Sequence, residues 1–273
     1  MKLIRYRGPR ATIQAPDGSY FLGFDADGLH LRIAATLSKD PFMLQSLVKY
    51  DETKDPFWKP HIQNASALFQ VTPEEAIGWM KQEAPQYTFA KSFIYLILNG
   101  GDVPALKNAA VSAGLVMDEK KVKKLLDTWL ERAIIFKKWR EGLVAEVRKT
   151  GVLTLISGRR RRFYGARWDK GEWKLSYDVI KEIYNLPLLG TEVDFMNPRF
   201  RAVWDLTQGT EWRLFYHGHD GGMLEGPIDN RLQFSKALLY ALPEEETLAP
   251  GIILRVPFAL KGGTNWAAMG GVE

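Results

Sequence analysis

The spacing of apolar residues changes at Asp25. Before it, "APDGSYFLGFD" opens with a Pro-Asp-Gly-Ser turn and continues as a short aromatic and apolar run, which predicts a strand ending at Asp25. After it, "GLHLRIAATLS" carries apolar residues at 29, 31, 33, 34, 35 and 37, which predicts a mostly buried helix. The polar stretch 51–60, with its prolines, predicts a loop. "VTPEE" marks a helix start, with Thr72 as N-cap, Pro73 in the first position and Glu75 completing a capping box. A further helix is expected from about 85 to 100. Apolar residues every three or four positions from 117 to 151 predict one long helix or two joined. "GVLTLISGRRRRFYG" predicts a hairpin with a basic turn, and "WRLFYHGHDGGMLEG" a strand, a tight turn at 219–222 and a strand. "GIILRVPFALKGG" reads as a final strand. Strands at both ends around a helical middle imply an α+β fold, in which distant segments build one sheet and helices are inserted.

Composition narrows the setting. The 273 residues suffice for one large domain or two subdomains, and the absence of cysteine excludes disulfides, thiolate catalysis and cysteine-ligated zinc. The net charge of +5 favours an acidic partner, with nucleic acid first. "FIYLIL" is too short to span a bilayer and "MKLIRYRGPR" has no secretory h-region, so a cytoplasmic location without membrane attachment is expected.

Candidate chemistry begins with Asp25 and Asp220, which come from opposite ends of the chain and each sit where a strand gives way to a turn. An antiparallel sheet could bring them together to hold two divalent cations, the arrangement that stabilises both attacking and leaving oxygens in phosphoryl transfer. Magnesium suits such hard oxygen ligands and keeps waters and substrate phosphates in its shell. Lys91, Tyr95 and Asn99 lie four residues apart on one helix face, a cation, a flat ring and an amide in line that would suit a nucleoside triphosphate. All four histidines, His30, His61, His217 and His219, lie beside these features. "HGHD" also has the look of a metallo-hydrolase signature, although that reading needs more ligands than the remaining histidines offer.

Six separated motifs in order resemble those of the family A DNA polymerases, the group of bacterial DNA polymerase I and the single-subunit phage replicases. "FDADGLHLRIA" is similar to D-x-S-x-x-E-x-R, placing Asp25 on a metal ligand and Arg32 on the motif's arginine, a DNA contact. "KPHIQNASALF" resembles the following D-x-H segment and puts His61 near the incoming triphosphate. "AKSFIYLILNGG" resembles the fingers helix, with Lys91 on the phosphates and Tyr95 on sugar and base. "TLISGRRRRF" resembles T-L-x-G-R-R-R, so Arg159 and Arg160 are expected at DNA. "NLPLLGTEVD" is similar to N-x-P-x-Q-G-T-x-x-D and places Asn185, with Lys181 before it, on the primer–template. "HGHDGGMLEG" resembles V-H-D-E-L-V-x-E, making Asp220 the second metal-binding aspartate and His219 a primer-terminus contact. The closing "VPFALKGGTNW" also fits.

The resemblance implies an antiparallel-sheet palm with an inserted, mostly helical fingers subdomain. The expected division is palm over 1–38, fingers over 39–150 and palm again over 151–273. It implies a template-directed DNA polymerase using two Mg2+ ions, with Mn2+ able to substitute, acting on primer–template DNA and dNTPs. The chain starts shortly before the first motif, so no thumb or exonuclease domain, and hence no proofreading, is expected. Either the chain is a fragment or a second polypeptide supplies the missing parts. A replicative or repair role in a phage, plasmid or other mobile element is expected, in a bacterial or phage-infected cell. Two alternatives are a non-catalytic polymerase-like DNA-binding subunit and a primase-polymerase using ribonucleotides.

The departures concern substrate handling. In the family a glutamate at the position of His30 gates against the ribose 2′-hydroxyl, braced by a tyrosine at the position of Asn99. Here both differ: an imidazole–amide hydrogen bond could rebuild the gate, or the smaller Asn99 could leave room for ribonucleotides. Tyr95, where many relatives carry phenylalanine, implies acceptance of dideoxynucleotides. Leu189 replaces the motif glutamine, Tyr87 a fingers arginine, and Gly221 the glutamate after the second aspartate.

Overall fold

In the computed structural model, which describes residues 9–272, the strand expected before Asp25 forms over Ser19–Ala26 (β1). Eight helices follow: α1 (Leu29–Ser38), α2 (Pro41–Thr53), α3 (Pro60–Phe69), α4 (Pro73–Lys81), α5 (Pro85–Leu98), α6 (Val103–Ser112), α7 (Glu119–Arg132) and α8 (Ile134–Thr150). Two short hairpins come next, β2 (Val152–Thr154) with β3 (Arg160–Arg162) and β4 (Arg167–Asp169) with β5 (Glu172–Lys174). The long α9 (Tyr177–Thr207) leads to the hairpin of β6 (Arg213–His217) and β7 (Gly221–Pro227), then to α10 (Arg231–Ala241). A ribbon of β8 (Glu245–Ala249) and β9 (Ile252–Arg255) precedes β10 (Phe258–Gly263) and β11 (Gly270–Gly271). Among the described residues no helix is long and apolar enough to cross a membrane.

The chain folds as two units. Among the described residues, one holds 9–29, 192–247 and 253–272, and the other 30–191 and 248–252. These limits fall at 29 and 191, against the 38 and 150 expected from sequence.

The first unit is built on one antiparallel sheet, in the order β11-β10-β1-β7-β6. β1 lies in its centre, pairing with β10 on one side and β7 on the other. Both faces of β1 are covered, since neighbouring Phe21 and Leu22 are each buried. Phe24 packs on Phe200 of α9, with ring centroids 5.6 Å apart, and Phe195 stacks on Phe258 of β10. Arg199 is buried within this unit without penalty from unmet donors. Its guanidinium lies 3.5 Å over the Phe195 ring and donates to the carbonyls of Phe195, Pro243 and Glu245 and to the Glu246 carboxylate.

The second unit is mostly helical. Trp129 of α7 fills its centre, meeting Phe42, Phe93 and Phe136 edge-on and donating its indole N–H to Asn64 Oδ1 at 3.1 Å. The segment expected as one long helix or two joined is two, meeting at Ala133. A buried carboxylate explains the joint. Asp40 Oδ1 accepts from Phe42 N and Met43 N at the start of α2, and Oδ2 accepts from Ile135 N and Phe136 N at the start of α8. One side chain therefore caps two helices 95 residues apart in sequence. Thr72 caps α4 as expected, accepting from Glu75 N.

Two elements differ from expectation. "GIILRVPFALKGG" is not one strand but β9 and β10, separated at Val256 and Pro257, where the missing proline N–H interrupts the ladder. α9 runs unbroken for 31 residues through Pro187 and Pro198, each of which removes a helical hydrogen bond.

Asp40→Ala is expected to lower the unfolding free energy by about 3 kcal/mol, because both caps are lost. Asp40→Asn keeps one accepting oxygen and should lose roughly half of that. Urea denaturation of the three proteins measures both, and an unperturbed Asp40→Asn would contradict the double-cap assignment.

Candidate functional site

The two aspartates singled out in sequence lie at the same end of adjacent strands. β1 pairs with β7 so that Asp25 stands opposite Gly221, and Ala26 N donates to the Asp220 carbonyl at 2.7 Å. The β6–β7 turn that carries Asp220 is closed by Gly218 N donating to Gly221 O at 2.7 Å. Both aspartates are solvent-exposed. The close approach of β1 explains the residue after Asp220. A Cβ at position 221 would run into the Phe24 carbonyl oxygen, so the glutamate of the resembling motif has no place on this backbone.

His219 and His217 flank the same turn. His219 is exposed, with Nδ1 3.9 Å from the buried carboxylate of Glu192 on α9, while the His217 ring lies 3.7 Å from that of Phe200. With Met196 and Tyr216 these side chains line a recess of about 280 Å³. Sequence reasoning passed over Glu192, because a glutamate within a helix reads as a solvated residue until the fold buries it. Among the described residues no group of three or more His, Cys, Asp or Glu is placed to hold a metal, which leaves the metallo-hydrolase reading of "HGHD" without ligands. Two carboxylates at one strand end still fit magnesium, whose shell is completed by water and phosphate oxygens.

In the second unit, α3 and α5 bring together three of the remaining residues. The His61 ring lies 5.8 Å from that of Tyr95, and Lys91 is exposed one turn before Tyr95. His61 Nδ1 is buried without a hydrogen bond. Burial, with the positive charges of Lys91 and Lys59 behind it, lowers the His61 pKa from 6.5 to about 4. His61 is therefore neutral at ordinary pH.

The other candidates have more varied surroundings. Asn99 closes α5 and gives one side-chain N–H to Tyr95 O at 2.7 Å, a bond that leaves its second N–H and its Oδ1 uncommitted. Arg32 is buried and forms a bidentate pair with Asp51, at 2.7 and 2.8 Å, which ties α1 to α2. Lys181 lies 4.3 Å over the Tyr177 ring and 4.0 Å from Asp102. Asp102 caps α6 through Ala105 N and accepts from the Tyr177 hydroxyl, which holds its carboxyl below the usual range; desolvation first, and then this hydrogen bond, lift Tyr177 to about 12. Asn185 Oδ1 is buried without a hydrogen bond. Arg159 donates to Gly190 O at 2.7 Å, whereas Arg160 is exposed on β3. Arg140 was not foreseen: it stacks 3.6 Å over Tyr184 and donates to Ile97 O at the end of α5. In "KKWREG" it reads as one more surface cation, and no local signal separates it.

The chain belongs to DNA polymerase family A, whose family model matches residues 4–268. Among curated relatives it is 23% identical, over 81% of its length, to the thermostable DNA polymerase I of Thermus thermophilus. It is 24% identical, over 96% of its length, to DNA polymerase I of Bacillus subtilis. The chain spans about a quarter of the length of these relatives, 24% and 28% respectively. A solved structure of the POL domain of Pol1 from M. smegmatis, in complex with DNA primer-template and dNTP, shares the fold with a TM-score of 0.73 at 18% identity. It covers 98% of this chain and 44% of that one.

The depressed His61 pKa makes stability depend on acidity. Between pH 6.5 and about 4 the unfolded chain binds a proton at His61 that the folded chain refuses, so stability falls as the pH drops through that window. The loss should approach about 3 kcal/mol near the lower end. His61→Phe should flatten this part of the profile, which urea midpoints measured from pH 7 to pH 4 would show.

Proposed function

We propose that this chain carries the nucleotidyl-transfer site of a template-directed DNA polymerase. The observation that carries the reading is the β1–β7 register, which sets Asp25 and Asp220, 195 positions apart, at one end of a strand pair. Family membership and the POL-domain fold support it. The partners are those named for the similar M. smegmatis domain, primer–template DNA and dNTP.

Asp25 and Asp220 would hold two Mg2+ ions, or Mn2+ in their place, through hard carboxylate oxygens. Such a pair supplies a lowered pKa for the primer 3′-hydroxyl and charge neutralisation on the triphosphate and departing pyrophosphate. The chain's own residues position the reactants. Lys91 offers a fixed positive charge to phosphate, and neutral His61 adds a ring nitrogen without a second full charge. Tyr95 presents a flat face and a hydroxyl to sugar and base. His219, steadied by Glu192, would meet the primer terminus, while Lys181, Asn185 and Arg160 serve the DNA. Arg32 acts differently from its motif expectation: paired to Asp51, it braces α1, the helix that follows Asp25.

Primer extension with Mg2+ or Mn2+ tests the reading. Asp25→Asn and Asp220→Asn should each reduce template-dependent extension by 10³-fold or more, on the order expected when electrostatic stabilisation of the transition state is lost. Primer–template affinity measured without metal should hardly change. Lys91→Ala should raise KM for dNTP more than it lowers kcat. Extension that survives both aspartate substitutions would overturn the proposal. The sugar gate has its own test. As the gate, His30 would exclude the ribose 2′-hydroxyl, so His30→Ala should raise ribonucleotide over deoxyribonucleotide incorporation, read as a ratio of kcat/KM values.

A further inference from the structure

The charge of this chain is concentrated in one short stretch. Residues 159–174 contain seven cations and two carboxylates, a net +5 that equals the net charge of the whole chain. The stretch covers β3 and the β4–β5 hairpin, and its cations alternate with exposed aromatic rings.

Within β3, Arg160 and Arg162 share one face, while Arg161 on the other is held by Glu182 at 2.8 Å. Arg160, Arg162, Arg167 and Lys170 are all exposed, and none forms an ion pair among the described residues. Phe163 then turns inward to a core with Val147, Leu153, Val179 and Ile183. The turn it begins, closed by Ala166 N donating to Phe163 O, leaves Tyr164 87% exposed. Trp168 follows four residues later and is 54% exposed. Four residues span at most about 14 Å, the reach of a few nucleotides.

These rings are not loose. Trp168 pairs across the hairpin with Trp173, edge to face at 5.5 Å. Trp173 in turn is seated on the turn that ends α8, where a Cβ at Gly151 would lie 2.7 Å from the indole. Gly151 has φ +70, so a residue without a side chain serves both the turn and the indole. Ala166 and Leu175, at the base of the hairpin, pack on the same core as Phe163. An exposed tryptophan is thus held by a second, buttressed tryptophan, beside the exposed Arg160, Arg162, Arg167 and Lys170.

We propose that Tyr164, Trp168 and the Arg160–Arg162 face form a binding platform for single-stranded DNA. The bases stack on the two rings and the phosphates are neutralised by Arg160, Arg162, Arg167 and Lys170. Flat exposed rings interleaved with cations match an unpaired strand, whose bases offer their faces; a duplex hides those faces within its stack. The choice of DNA over RNA rests on the function proposed above, where the strand is unpaired template. Binding to the platform needs neither metal nor nucleotide.

Fluorescence anisotropy of a labelled oligo(dT) of about 16 nucleotides, titrated with the full chain in EDTA, tests this. The parent should bind. Trp168→Ala and Tyr164→Ala should each weaken binding by about five-fold or more, with Trp168→Phe within about three-fold of the parent because it keeps a stacking face. Affinity for a blunt duplex should change by no more than about two-fold in either alanine variant, since duplex binding runs through phosphates. A second arm needs no aromatic change: Arg160→Gln with Arg162→Gln should lower the slope of log affinity against log salt by about 1.4 for the single strand. No oligo(dT) binding by the parent, no effect of either alanine, an equal loss on duplex, or an unchanged salt slope would each overturn the platform. The EDTA assay makes no demand on Asp25 or Asp220. A parent that binds oligo(dT) but extends no primer would overturn the polymerase reading alone, and one that extends primers with no effect of Trp168→Ala on oligo(dT) would overturn the platform alone.

Discussion

The antiparallel pairing of β1 with β7 is the constraint on which the candidate site depends. Two aspartates far apart in sequence meet only because Asp25 is set opposite Gly221, and a slip of one residue would turn Asp25 to the other face of the sheet. The register is held from both sides. β10 pairs along the opposite edge of β1, and Phe24 is wedged between Phe200 and Phe258. The glycine after Asp220 belongs to the same constraint, since β1's backbone occupies the space a side chain would need.

Charged groups do much of the architectural work. Asp40 satisfies four backbone N–H groups at two helix starts, Arg32 and Asp51 tie α1 to α2, and Arg199 collects carbonyls from three residues. In each case burial is tolerable because the charge is met by several partners at short distance. Hydrophobic packing could fill these spaces but could not fix the relative positions of the elements so narrowly.

His61 follows the opposite logic. Its ring has no carboxylate partner, and burial beside two lysines removes its proton. A neutral ring nitrogen buried without a hydrogen bond costs stability at every pH, and the proton refused in acid adds to that cost. All four arginines 159–162 are exposed, yet Arg159 is committed to a main-chain carbonyl and Arg161 to Glu182.

The sequence by itself determined most of the local elements and supplied the candidate residues. The period change at Asp25, the Thr72 cap and the two hairpins are short-range patterns that formed, although Arg160–Arg162 make up the strand β3 rather than a basic turn, and the turn before β7 is 218–220 rather than 219–222. The order of the motifs also sufficed to suggest the family. Tertiary structure decided what these residues are free to do. Nothing local distinguishes Arg32 or Arg140 from a surface arginine, because their partners Asp51 and Tyr184 lie 19 and 44 positions away. α9 was hidden because prolines 187 and 198 contradict a helix locally, and the packing of Phe195, Val203 and Arg199 outweighs the two lost hydrogen bonds. Propensity and spacing act over a few residues, whereas burial, which sets the His61 proton and the Trp168 exposure, depends on segments the chain brings in from afar.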